Sequence, residues 1–317
     1  MARILYLCPD AQIPHGGNYV IYRHVDILRA HGFDAWAVHQ ESGFRYSWFN
    51  NETAVTTLKV IAPIGADVLV LPENVGPAGL GIHRDCRRVI FNQNAYLTFH
   101  NSFGSGSVER FYREAAGVLC VSEDSAEYLR FAFPEVSVTR LHLSIDSKLF
   151  CPQEKARTIV YMPRKGGEDA SQILLLLESR GLSGFSVKPL DGLPLSGVAE
   201  ALGRAAIFLS FSQAEGFPLP PIEAMVSGCL VVGYHGQGGR EYFQPDFCLP
   251  VEPGALRSYC ETVERAIALW DSGEGTAMAG RARRFVLDTY AEAREAQDLL
   301  DFWRSFPSHV SMAQKPE

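Results

Sequence analysis

Ala206-Ile207-Phe208-Leu209-Ser210-Phe211-Ser212-Gln213-Ala214-Glu215-Gly216-Phe217-Pro218-Leu219-Pro220-Pro221-Ile222-Glu223-Ala224-Met225-Val226-Ser227-Gly228 passes from an apolar run through a glycine- and proline-rich loop into a helical pattern. A strand is predicted over 206–211, and Pro221 stands where a helix tolerates proline, in its first turn. Glu215 is then expected in the loop at the carboxyl end of a parallel strand, and Glu223 inside the first helical turn. Ligands of open α/β sheets bind at such strand ends. Two carboxylates held there can accept paired hydrogen bonds from the vicinal hydroxyls of a sugar or ribose. The plainer reading has Glu223 complementing the helix dipole and Glu215 solvated. The Gly-Phe-Pro-Leu-Pro-Pro loop between the two shifts the balance toward a site.

Outward from this stretch the same alternation recurs. Ile4–Cys8 reads as a strand, Pro14-His15-Gly16-Gly17 as a turn, and Tyr19–Ala30 as a helix with apolar residues at helical spacing, stopped by Gly32. Further strands are predicted at Asp34–His39, Val68–Leu71, Arg88–Phe91, Val118–Val121 and Leu141–Leu143, with a helix capped by Ser122. A second unit begins with a strand at Thr158–Met162, the turn Pro163-Arg164-Lys165-Gly166-Gly167 and a helix over Glu168–Arg180. Strands follow at Phe185–Leu190, Leu230–Tyr234 and Cys248–Val251, and the chain from Ala255 to about Trp303 is nearly all helical. Alternating strands and helices predict parallel sheets covered on both faces, an α/β fold of two Rossmann-like domains. The expected division is 1–151, 152–287, a helix at about 288–306 and a frayed polar tail at 307–317.

The quoted stretch resembles the E-x7-E motif of family-4 glycosyltransferases, in the form E-G-F-x-L-P-x-x-E-A-M-x-x-G. Other segments agree. His15-Gly16-Gly17 followed by Leu28–Asp34 is similar to the family's opening Gly-Gly turn and L-x-x-x-G-H-E-V pattern. Val118–Ser122 resembles its strand–helix junction, Leu143–Pro152 its interdomain segment, and Gly236–Glu241 its G-x-G-G-x-x-E loop. The resemblance implies a GT-B fold, with two domains facing across a cleft and the C-terminal helices crossing back to the first. It implies transfer of a sugar from a UDP-, GDP- or dTDP-sugar to a glycan or other hydroxyl acceptor, with retention at the anomeric carbon and without a metal or other cofactor. Glu215 would contact the donor sugar and Glu223 the nucleotide ribose. Gly216, Phe217, Pro218 and Leu219 would offer backbone groups to the donor, and the Gly16-Gly17 amides would meet its phosphates. Arg164 and Lys165, adjacent here where the family spaces its basic pair as R-x-x-x-x-K, would stabilise the departing diphosphate.

One departure stands out. After the strand at Val89–Phe91, where many relatives carry a histidine, this chain reads Asn92-Gln93-Asn94-Ala95-Tyr96. Amides hold hydroxyls but are not bases near neutral pH. Gln93, Asn94, Tyr96 and His100 are the acceptor-side candidates, and His15 and His235 are expected as loop contacts near the cleft. The aromatic run Phe44-Arg45-Tyr46-Ser47-Trp48-Phe49 suits either an acceptor platform or core and lid packing. Two other readings remain open: a sugar-nucleotide epimerase on the same scaffold, and a catalytically silent sugar-nucleotide-binding protein.

Composition narrows the classes. The 317 residues include 29 Lys plus Arg and 36 Asp plus Glu, a net charge of −7. Residues 1–151 carry 13 basic and 15 acidic side chains, or −2, leaving −5 for the rest. Neither half offers the basic face that nucleic acid requires. The 7 cysteines have no C-x-x-C pair and the 9 histidines no metal-binding spacing, so disulfide and zinc frameworks are not expected. No apolar run approaches the ~20 residues of a membrane span, and no signal peptide is read at the N-terminus. A cytoplasmic enzyme with at most weak peripheral membrane contact is expected, its donor a nucleotide sugar and its role in polysaccharide biosynthesis. No G-x-S-x-G, P-loop or early G-x-G-x-x-G is present, which sets aside serine hydrolases, ATPases and ordinary NAD dehydrogenases.

Overall fold

In the computed structural model, which describes residues 2–100, 107–165 and 167–306, the apolar runs form two parallel sheets. The first unit runs β1 (Ile4–Leu7), α1 (Gly16–Ala30), β2 (Ala35–His39), β3 (Val55–Thr57), α2 (Leu58–Ile61), β4 (Val68–Pro72), β5 (Arg87–Asn92), α3 (Val108–Arg113), β6 (Gly117–Cys120), α4 (Glu123–Ala132) and β7 (Val138–Arg140). Its strand order is β3-β2-β1-β4-β5-β6-β7. The order reverses between β1 and β4, which opens a crevice at the carboxyl ends of those two strands.

The second unit runs β8 (Ala156–Tyr161), α5 (Gly167–Arg180), β9 (Ser186–Pro189), α6 (Leu195–Arg204), β10 (Ala205–Glu215), α7 (Leu219–Val226), β11 (Leu230–Gln237), β12 (Leu249–Pro250), α8 (Leu256–Asp271), α9 (Glu274–Thr289) and α10 (Glu292–Ser305). Its order is β12-β11-β10-β8-β9, with the reversal between β8 and β10. β10 is buried along its first eight residues, as a central parallel strand covered on both faces must be.

α10 returns to the first domain. Trp303 Nε1 donates to Tyr6 Oη at 3.4 Å, and Phe302 packs so near Gly117 that a Cβ there would lie 3.0 Å from the ring. Glu295, fully buried, joins α10 to Arg23 of α1 and to Ser144 of the interdomain segment.

Four local expectations change. α1 starts at Gly16 rather than Tyr19, because the His15 side chain caps it by accepting from Gly17 N at 3.2 Å. The last strand of the first sheet is Val138–Arg140, not Leu141–Leu143. Leu141 N still bonds Cys120 O at 2.8 Å, but β6 ends there and leaves the next residues without a ladder partner. The helical stretch after Ala255 is three helices, the first break made by Gly273 at φ +83°. α2, α3 and α6, none of them singled out by periodicity, complete the helical layers. The predicted tail at 307–317 lies outside the described residues.

Candidate active site

A cavity of about 540 Å³ lies between the two sheets' carboxyl ends. Gly16, Gly17, Glu73, Gln93 and Asn94 line it from the first domain; Arg164, Glu215, Phe217, Pro218, Leu219 and Glu223 line it from the second. Most of the predicted set is therefore brought together, although Glu215 and Gly16 are almost 200 positions apart in sequence.

The first turn of α1 is packed against the opposite domain. A Cβ on Gly16 would stand 2.6 Å from Leu219 Cδ1 of that domain, whereas one on Gly17 would stand 3.0 Å from Gln93 Oε1 of its own domain. Glycine permits this approach; the Gly17 and Asn18 amides are taken by His15 Nδ1 and His15 O, and the Gly16 end of the helix lines the cavity, a natural place for an anion. Arg164 reaches across the opening, Nη1 donating to Pro14 O at 2.9 Å. Lys165 follows in the same 3-10 turn, Pro163–Lys165; its side chain lies outside the described set.

Glu215 is the last residue of β10, within the strand rather than in the loop beyond it. Glu223 is the fifth residue of α7, one turn later than expected, because the helix already starts at Leu219 with Pro220 and Pro221 in its first turn. That displacement removes the reading of Glu223 as a dipole complement. Burial pushes its carboxyl up to about 7 against the opposing pull of Arg23. A carboxyl in that state can hold a proton or give it up near neutrality, as groups in binding sites often do.

Other expected residues fall elsewhere. Gly216 does not line the cavity; its Cα is pressed against the first domain, where a Cβ would come within 2.2 Å of Gln93 O. Tyr96 and His100 also stand off the cavity. The 3-10 turn at Ala95–Leu97 swings Tyr96 toward α4, where its hydroxyl donates to Asp124 Oδ2 at 2.6 Å, and His100 is exposed beyond it. His235 is a buried residue of β11 whose Nδ1 accepts from Gln237 N, not a loop contact. Asn92 is structural: its Nδ2 donates to Thr98 Oγ1 and Tyr112 Oη at 2.8 and 2.7 Å. His15 and Trp48 do line the cavity, while Tyr46 is buried among Tyr22, Phe44 and Phe49. The aromatic run thus divides between packing and a single cavity wall.

Glu73, which also lines the cavity, was not singled out from the sequence. It directly follows β4, so the rule that singled out Glu215, a carboxylate at a parallel strand's end, applies to it equally.

Several bonds hold the domains together around the cavity. Asn94 Nδ2 donates to Ala214 O at 3.0 Å, and Leu195 N to Trp48 O at 3.0 Å. At the far side Glu241 accepts from Arg140 Nη2 at 2.5 Å, from Tyr290 Oη at 2.7 Å and from Glu123 N at 3.1 Å. The glutamate closing the Gly236–Glu241 loop is thus a clasp between domains. Among the described residues no cluster of histidine, cysteine, aspartate and glutamate could hold a metal ion, and no helix is long and apolar enough to cross a membrane.

Residues 165–283 match the family model of the group 1 glycosyl transferases. An alpha-1,6-glucosyltransferase of Actinobacillus pleuropneumoniae serotype 7 is 24% identical over 246 residues, 73% of this chain and 72% of that protein. Among solved structures, a sucrose-phosphate synthase from Thermosynechococcus elongatus aligns with TM-score 0.75 at 14% identity, covering 96% of this chain and 98% of its own. The Anabaena protein HepE, in complex with UDP and glucose, aligns with TM-score 0.71 at 16% identity over 96% and 100% of the two chains. The chain is a glycosyltransferase of the GT-B fold, related to the group 1 enzymes.

Proposed function

We propose that the chain moves a sugar from a nucleotide-sugar donor to a hydroxyl acceptor with retention at the anomeric carbon, as its E-x7-E resemblance to family-4 enzymes implies. The observation that carries this reading is the convergence of Glu215, Glu223, Arg164 and the Gly16-Gly17 turn on one cavity. In it, Glu215 accepts hydrogen bonds from the sugar hydroxyls and orients the anomeric carbon. Glu223, eight residues later, holds the ribose hydroxyls. The backbone of Phe217, Pro218 and Leu219 shapes the sugar site. As the bond between the anomeric carbon and the donor oxygen breaks, negative charge gathers on the diphosphate. Arg164, with Lys165 next to it in sequence, and the Gly16 end of α1 would stabilise that charge.

UDP is the first donor nucleotide to test, since HepE is seen with UDP and glucose. The acceptor is read as a glycan, and the site of action as the cytoplasmic side of a surface-polysaccharide pathway. Domain 152–287 would bind the donor and domain 1–151 the acceptor.

Glu215→Ala and Arg164→Ala are each expected to slow UDP-glucose turnover about a hundredfold, the scale of losing one preorganised electrostatic contact. UDP release, measured with and without acceptor, reads this. Wild-type rates in both variants would sink the assignment, and conversion of the donor sugar without acceptor would favour an epimerase.

A further inference from the structure

The proposed donor site leaves one carboxylate of the cavity without a role. Glu73 lies just beyond β4, is 7% exposed and lines the cavity from the first domain. Its Oε2 accepts from Gln93 N at 3.0 Å. The Gln93 side chain in turn packs on Gly17, where a Cβ would lie 3.0 Å from Oε1. Glu73, Gln93 and the first turn of α1 therefore form one continuous wall.

Among the described residues Glu73 has no ion-pair partner. Buried carboxylates are ordinarily paired with a cation, because desolvation is costly. Here, among the described residues, the groups acting on it are backbone amides of residues 73, 93 and 94. The titratable group that feels it is the phenol of Tyr112 on α3, itself buried and bonded to Thr98 and Asn92. Capping the turn at Gln93 requires only a neutral acceptor, which asparagine or serine would supply at smaller desolvation cost.

We propose that Glu73 receives the attacking hydroxyl of the acceptor, accepting first its hydrogen bond and then its proton. The proposal rests on the reading of the cavity as a glycosyl-transfer site. As the acceptor oxygen bonds to the anomeric carbon, the bond from that carbon to the donor's phosphate oxygen breaks. Its electron pair leaves on the diphosphate, while the hydroxyl proton passes to Glu73 and afterwards to water. Because Glu73 shares a wall with Gly16 and Gly17, the hydroxyl it holds approaches from the side on which the diphosphate leaves, the geometry that retention requires. Burial pushes the Glu73 carboxyl up to about 7, within the range where a base works near neutral pH.

Glu73→Gln keeps the shape of the side chain and, through Oε1, an acceptor for the Gln93 amide. UDP-, GDP- and dTDP-glucose serve as donors, with water and n-octyl β-D-glucoside as acceptors. At saturating donor, diphosphate release in the variant is expected to fall about a hundredfold. With Glu223 engaged by the donor at saturation, the acid limb of the rate near pH 7 is that of Glu73 and should disappear, with nucleoside diphosphate affinity within about twofold of wild type, since the group lost is one general base. Glu73→Asp, still ionisable but withdrawn from the hydroxyl, should be slow yet keep that limb. Wild-type turnover with an intact limb in Glu73→Gln overturns the role of Glu73 and leaves the donor site standing. Loss of diphosphate binding in that variant overturns it as well, since the residue would then serve the donor. A wild-type protein that binds none of the three diphosphates overturns the functional reading itself.

Discussion

Alanine in place of Gly216 is expected to lower turnover about a hundredfold while leaving both domains folded. The loop from β10 to α7 brings the Gly216 backbone against the opposing domain, where a Cβ would meet Gln93 O at 2.2 Å and Asn94 Cα at 2.8 Å. These are backbone atoms, which no side-chain rotation can move aside. Retreat is blocked too: Gly216 O lies 1.8 Å from where a Cβ on Gly238 would stand, so the loop is already pressed against its own domain. The strain can be relieved only by moving the domains apart, by about 1 Å to restore ordinary contact. A displacement of that size at the reacting groups costs on the order of a hundredfold in rate. It would also stretch the Asn94–Ala214 and Arg164–Pro14 bonds across the cavity. Turnover of UDP-glucose and a thermal melt read the two halves of this expectation. A fully active variant would show that the reacting state does not need the domains this close.

Glu295→Gln is expected to cost about 3 kcal/mol of stability at pH 7 and to lower the melting temperature by roughly 5–10 °C. Glu295 is fully buried on α10. Its Oε1 accepts from Arg23 Nη2 at 2.8 Å and lies 3.4 Å from His24 Nε2; its Oε2 accepts from Ser144 Oγ at 2.5 Å and Ser144 N at 3.2 Å. Burial alone would raise its pKa, but the Arg23 charge, then His24 and Ser144, hold it at about 2. Burial lowers the pKa of His24, which is therefore neutral at pH 7. Removing the carboxylate charge leaves Arg23 buried without its counter-ion, the costly way to break a buried pair. The sign with pH follows from the depressed value. The contribution of Glu295 is complete above its unfolded pKa of about 4.5 and is lost as pH falls toward about 2. Urea unfolding of wild type should therefore weaken over that interval more steeply than that of the variant. A loss below about 1 kcal/mol at pH 7 would mean that the pair only offsets its own desolvation.

Much of the architecture is readable in the chain because parallel strands buried on both faces leave a local mark. Val68–Leu71, Ala206–Leu209 and Leu230–Val232 are uninterrupted apolar runs, and each falls in an interior strand of a sheet. Glu215 and Arg164 were legible because strand ends are where such sheets bind ligands, and the glycine- and proline-rich loop marks its own special backbone. The misread elements have weak local signals. β7 and β3 are three-residue strands whose pairing comes from neighbours far along the chain, and α2 is a single turn.

The site divides in the same way. Composition, spacing and the Gly216–Leu219 loop determined, without coordinates, that this is a two-domain α/β chain with carboxylates and basic residues at strand ends. Which of those residues share a cavity was decided by the packing of one domain on the other. Tyr96 and His100 are close in sequence to Gln93 and Asn94, yet a turn at Ala95–Leu97 sends them to α4 and to solvent. Glu73 and Gln93, twenty positions apart, are joined by a hydrogen bond because β4 and β5 are adjacent strands. The state of Glu73 and Glu223 was likewise beyond the sequence, since a carboxyl's proton affinity depends on how much water the fold removes and which charges it leaves nearby.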